Sequence, residues 1–113
     1  MLFGNDIKKI EKYAGKGNFD KIIPFLKASK KDTRLTAIKS VSSAKSEAMF
    51  HALIGMLGCE DVEERLAIVE NLGKSGSRAA IEPLENALAK ETSATVANAI
   101  KMGLSRLRTG SPM

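Results

Sequence analysis

At 113 residues the chain has the length of one domain, with room for a hydrophobic core. With 43% hydrophobic and 27% charged residues it reads as a soluble protein, and no apolar run approaches the ~18 residues of a membrane span. The start, "MLFGNDIKKIEKY", turns polar too early for a signal peptide, the lone Cys59 cannot staple the chain internally, and a net charge of +5 with no Trp and one Tyr leaves few platforms for stacking bases or sugars. A reducing, cytoplasmic setting is the expectation that follows.

Taken in chain order, the apolar residues recur with helical spacing throughout. A first helix is predicted over 5–15, then pairs over 19–28 and 31–44, 46–58 and 62–73, and 77–90 and 93–108. Phe19, Ile22, Ile23 and Leu26 follow the i, i+3, i+4, i+7 pattern, as do Arg65, Ile68, Val69 and Leu72. Asp61, with Glu64 three residues on, is a capping-box relative; Ser77 and Thr92 stand where N-caps are wanted. Gly15, Gly17, Gly58, Gly73 and Gly76 are placed at helix ends, where positive φ suits glycine. No segment alternates with period two, so no strand is expected.

The pairs are copies of one another. A shift of 31 residues lays Phe19 on Phe50 and Ile81, Ile22 on Leu53 and Leu84, and Leu26 on Leu57 and Leu88, without gaps. The second helix of each pair follows the same step: Arg34 falls on Arg65, Leu35 on Leu66, Ile38 on Val69 and Ile100, and Val41 on Leu72. One step back, Ile38 and Val41 fall on Ile7 and Ile10, which makes the first helix a half-repeat. A short amphipathic pair cannot bury both apolar faces alone, whereas stacked pairs can. The expected fold is therefore all-α: a short α-solenoid of about three stacked helix pairs with an N-terminal half-repeat helix. The expected core is Phe19, Ile22, Leu26, Ile38, Val41, Phe50, Leu53, Leu57, Ile68, Val69, Leu72, Leu84, Leu88 and Ile100.

The stretches "DTRLTAIKSV" and "EERLAIVENLGKSGSRAAIEPLENAL" resemble HEAT-like repeats of the phycobilisome-lyase type, with Arg65, Ile68, Val69, Leu72, Gly73, Ala80, Pro83 and Leu84 at the pattern positions. The resemblance covers nearly the whole chain and implies one HEAT-like domain over 1–113, with a loose tail near 109–113. The last unit departs from the pattern: Val96 stands in place of the arginine and Gly103 in place of the core leucine, which suits an end cap with Leu104 and Leu107 covering the stack.

Residues 70–78, "ENLGKSGSR", look like the end of a phosphate-binding loop. Such a loop needs a first glycine at 68, which is Ile68, and a strand before it, where a helix is predicted. An inter-helix turn is the better reading. His51 shares its repeat column with Asp20 and Glu82, a polar surface position, and no His or Cys recurs at ligand spacing, so no metal or other cofactor is assigned. Cys59 reads as an idle thiol at a helix end, and Glu63 with Glu64, or Glu82 with Glu85, as solvated first-turn charges. No nucleophile has an evident base, so no catalytic residue is assigned and the chain is not expected to be an enzyme.

Charge is unevenly spread. Residues 1–45 hold eleven basic and four acidic residues, net +7, whereas 46–100 hold four basic and nine acidic, net −5. Lys8, Lys9, Lys12, Lys30 and Lys31 make up a candidate basic patch. In this architecture the second helices line the concave face, and the repeat frame puts Thr36, Lys39, Ser40, Ser43, Glu70, Asn71, Lys74, Asn98 and Lys101 on it as the candidate binding surface. Arg34 and Arg65 are expected to form a structural ladder with acids such as Asp32, Asp61 or Glu63. The leading reading is a non-catalytic protein-interaction scaffold with an unidentified protein partner and no membrane role. The alternatives are weak nucleic-acid binding through the basic N-terminal block, since some solenoids of similar repeats bind DNA, and a bilin lyase-related role implied by the resemblance alone.

Overall fold

The computed structural model describes residues 2–41 and 46–110. The expected seven helical segments are all present in it, and no described residue is in a strand. They are α1 (Leu2–Gly15), a 3₁₀ helix (Phe19–Lys27), α2 (Lys31–Ser40), α3 (Glu47–Gly55), α4 (Val62–Lys74), a 3₁₀ turn (Arg78–Ala80) running straight into α5 (Ile81–Lys90), and α6 (Ala94–Thr109).

The segment 19–27 is wound as 3₁₀ rather than α. Pro24 lies inside it and has no N–H to offer the carbonyl four residues back, so the regular α ladder is interrupted there. Asp61 caps α4 as expected, its Oδ1 accepting from the Glu64 N–H at 3.0 Å. The cap of α6 is Ser93 rather than Thr92, with its hydroxyl accepting from the Val96 N–H at 3.4 Å. Ser77 precedes the 3₁₀ turn but makes no side-chain cap bond. Of the glycines expected to end helices through positive φ, Gly17 and Gly76 do so; Gly15, Gly58 and Gly73 do not.

Two layers stack. In one, α1, α2, α4 and α6 pack in that order; in the other, the 3₁₀ helix covers α1 and α2, α3 packs on α4 and the 3₁₀ helix, and α5 covers α6. This is the helix-pair solenoid that the 31-residue step predicts, in a body of 41 × 27 × 21 Å. One core runs through all units. Ile22, Leu26, Ile38, Val41, Leu53, Ile68, Val69, Leu72, Leu84 and Ile100 are buried, while Phe19, Phe50, Leu57 and Leu88 are half-buried and packed against them. Ile10 at 0% exposure ties the half-repeat into the same core, and Val96, Leu104 and Leu107 close it at the other end.

Gly73 lies within α4, not after it, and its backbone meets that of Gly103 in α6. This is why the leucine column breaks at 103: a side chain there would hold the two helices apart. While α4 and α6 touch at glycine, α3 and α5 stand apart across a groove of about 450 Å³ lined by Ile54, Leu57, Cys59, Pro83 and Ala87.

Candidate functional site

The structure places most of the candidate residues on one face, the outer side of the α1/α2/α4/α6 layer. Lys39 on α2, Glu70 and Lys74 on α4, and Asn98 and Lys101 on α6 are exposed; Thr36 and Ser40 are half-exposed. The hydroxyls of Thr36 and Ser40 are committed to their own helix, donating to the Asp32 and Ala37 carbonyls at 2.7 and 2.9 Å. Ser43 lies outside the described residues. Lys39, Ala67, Glu70, Asn71 and Lys74 line a shallow depression of about 180 Å³ between α2 and α4.

Asn71 is not an outward group. It is 7% exposed, and its amide nitrogen donates to the Ile38 carbonyl at 2.7 Å and to the Ala67 carbonyl at 3.2 Å. The Ile38 carbonyl belongs to the last turn of α2, where its local donor is the Val41 N–H at 3.4 Å, and the shorter bond from Asn71 fastens the end of α2 to α4. Its Oδ1 is buried without a partner. The side chain forms the floor of the depression.

The basic patch divides. Lys8, Lys9 and Lys12 lie exposed on α1, and Lys30 is exposed just before α2. Lys31 is engaged, its ammonium 2.9 Å from Asp61 and 3.0 Å from Glu63. The hydrogen bonds it donates to these two carboxylates raise its pKa, and in return the Lys31 ammonium, followed by the Glu64 backbone N–H, lowers that of Asp61.

The arginine ladder exists with different acids. Arg34 forms a fork with Glu64, Nε to Oε1 at 2.8 Å and Nη2 to Oε2 at 3.0 Å, and its Nη1 donates to the carbonyls of Ala28 and Ser29 at 2.9 and 3.1 Å. Arg65 repeats the motif one unit on, with Glu91 at 3.0 and 2.9 Å and the carbonyls of Cys59 and Glu60 both at 2.9 Å. The carbonyl pairs are related by the 31-residue step; the acids are not, because Glu64 comes from α4 and Glu91 from the turn before α6. The expected partners Asp61 and Glu63 serve Lys31 instead, and Asp32 pairs with neither arginine. The fork from Arg65 holds Glu91 below the usual carboxylate range. These are the bonds of a repeat edge satisfied by its neighbour.

In a phosphate loop, Gly-Lys-Ser opens a helix; here Gly73 and Lys74 finish one, and the Ser75 hydroxyl folds back to the Leu72 carbonyl at 2.7 Å and accepts from the Ser77 N–H at 3.2 Å. Burial is the main force raising the Cys59 thiol pKa, the reverse of what an activated thiolate needs. His51 is exposed, with its ring edge-on to Phe50. Among the described residues no group of three or more His, Cys, Asp or Glu could hold a metal ion, and no helix is long and apolar enough to cross a membrane.

One relation on this face is absent from the sequence reading, which treats Lys8 and Lys39 as members of separate groups. The 31-residue step that defines the repeat carries Lys39 back onto Lys8 and forward onto Glu70 and Lys101, and carries Lys12 forward onto residue 43, Lys74 and Ser105. Two of the five patch lysines, Lys8 and Lys12, thus share repeat columns with the outer row of the second helices.

Fold and surface together define an α-solenoid of paired helices whose free face is polar and whose interior is apolar apart from Thr33, Glu64 and Asn71. The chain belongs to the HEAT repeat family: the family model described as HEAT repeats matches residues 19–105, which takes in all three helix pairs. No curated protein and no solved structure gave a significant match.

Proposed function

We propose that the chain is a non-catalytic interaction module that holds another protein on the exposed face of its second-helix layer. The observation that carries this reading is the row of Lys8, Lys39, Glu70 and Lys101 with Lys12 and Lys74 beside it, exposed on four successive helices and served by no ion pair among the described residues. HEAT repeats are generally protein-interaction scaffolds, which supports it at the level of the family. The phycobilisome-lyase-type likeness stays a likeness of repeat pattern, carried by Arg65, Gly73, Pro83 and Leu84, and a cytoplasmic setting fits the unpaired Cys59. The test is affinity capture from native lysate with quantitative mass spectrometry. Proteins enriched reproducibly over bare matrix support the module; a capture profile equal to that of bare matrix sinks it.

The same lysines favour one second reading, nucleic-acid binding by counterion release. Its test is titration with labelled duplex and single-stranded DNA at low and physiological salt. Affinity that persists at physiological salt would place it first.

A further inference from the structure

The charges on this face differ from those elsewhere. Of the nine acids in residues 46–100, Asp61, Glu63, Glu64, Glu85 and Glu91 are in ion pairs within the fold. Arg34, Arg65 and Arg108 are held by Glu64, Glu91 and Glu85, and Arg78 by the carbonyls of Leu107 and Arg108. The exposed row keeps five lysines, Lys8, Lys12, Lys39, Lys74 and Lys101, against one acid, Glu70, with no ion pair among the described residues. It is a positive strip with a single negative point in the third of four places.

The geometry of the strip sets what it can hold. Packed helices are spaced by about 8–10 Å, so the four positions extend over roughly 30 Å. An extended chain advances about 3.3 Å per residue, so each helix-to-helix step matches about three residues of a strand laid across the helices. We propose, building on the reading of the chain as a protein-binding module, that this face takes an extended acidic segment of a partner protein. Carboxylates at every third residue face Lys8, Lys39 and Lys101, Lys12 and Lys74 flank them, and a neutral or basic residue faces Glu70.

Glu70 is the residue that sets specificity. A peptide can omit a charge at one position; a nucleic acid cannot, because every nucleotide carries a phosphate, and one of them is forced against the Glu70 carboxylate. Two further features weigh against nucleic acid. Lysine offers a point charge, not the bidentate fork that grips phosphate, and the arginines named above are already engaged. Tyr13, Phe19, Phe25 and Phe50 are packed against the core, so none of these four rings is offered to the strip for stacking a base.

The experiment is fluorescence anisotropy on the full chain with three labelled probes: a peptide of about twelve residues with Glu at its first, fourth and tenth positions and Gln at its seventh, the same peptide with Gln in place of every Glu, and a single-stranded oligothymidine of similar length. Lys39→Glu/Lys101→Glu and Glu70→Lys are titrated beside the wild type, with circular dichroism as the check on folding; all three positions are exposed. The Glu peptide is expected to bind the wild type about tenfold or more tightly than either other probe, and to weaken with salt. The double charge reversal is expected to remove about tenfold of that affinity, and Glu70→Lys to improve the oligonucleotide more than the peptide. Tighter binding of the oligonucleotide by the wild type overturns the proposal, as does a Glu-peptide affinity that the double reversal leaves unmoved. Lysate capture by the double variant separates the two readings. If it still enriches proteins while the Glu peptide fails to bind, the module stands and this inference falls; if the wild type enriches nothing and binds no peptide, both fall.

Discussion

Gly73 and Gly103 meet backbone to backbone: a Cβ added to Gly73 would lie 2.8 Å from the Cα of Gly103, and one added to Gly103 would lie 3.0 Å from the Cα of Gly73. No flexible side chain is there to give way, so a methyl group must push α4 and α6 apart. Gly73→Ala and Gly103→Ala should each destabilise by about 1–3 kcal/mol even after the better helix propensity of alanine, lowering Tm by several degrees. Gly55→Ala in α3 meets nothing within 4 Å and should be neutral or slightly stabilising. Thermal melts of the three variants decide it; equal behaviour of Gly73→Ala and Gly55→Ala would contradict the contact.

The Arg65–Glu91 pair has little solvent to fall back on, with side chains 13% and 5% exposed. Arg65→Ala strands the Glu91 carboxylate and two carbonyls, and should cost about 3 kcal/mol by denaturant unfolding. Arg65→Lys should rescue little of this, because an ammonium cannot reproduce the fork. Full stability of either variant would mean that the pair is ornamental.

Acid should expose the same network. Glu91 and Asp61 have folded-state pKa values below their unfolded ones. Their contribution is present above about pH 4.3 and 3.9, the ordinary glutamate and aspartate values, and is lost as pH falls through the lower folded values. Tm is expected to drop from about pH 4 downward, and less steeply in Glu91→Gln, which no longer titrates there. Identical acid limbs for the two proteins would remove Glu91 from the account.

Leu72 is 1% exposed at the centre of the stack, and Leu72→Ala should cost about 2–5 kcal/mol. A loss well under 1 kcal/mol would mean that the neighbouring helices close the cavity almost completely.

Lys74→Ala removes the lysine of "GKSGS" from an exposed position on α4. Stability and any response to ATP should be unchanged. A saturable, magnesium-dependent rise in Tm with ATP for the wild type would reinstate a nucleotide site, because a ligand that binds the native state stabilises it.

The sequence carried what depends on periodicity. Ile22, Leu53 and Leu84 mark their helices by spacing alone, and their common 31-residue step gives the stacking order. Asp61 was legible as a cap because a cap is local. The acids of the ladder were not, since Arg34 and Arg65 choose among Asp32, Asp61, Glu63, Glu64 and Glu91 by the offset between neighbouring helices, which no single helix encodes. Gly73 misleads for a related reason: beside "KSGS" it looks like a helix end, while its requirement is set by Gly103, thirty residues away. On the candidate face, exposure of Lys39, Glu70 and Lys101 follows from the repeat frame; the burial of Asn71 does not, because it turns on one carbonyl at the end of α2.

The ladder also ties each unit to the next. Arg34 closes the turn of its own pair through Ala28 and Ser29 but needs Glu64 of the next pair to balance its charge; Arg65 does the same through Cys59, Glu60 and Glu91. Each pair is thus left electrically unfinished without its successor. At the third pair the arginine position holds Val96, fully buried, and the sequence of obligations stops. Removal of the third pair should therefore loosen the second, by leaving the Arg65 guanidinium without the Glu91 carboxylate.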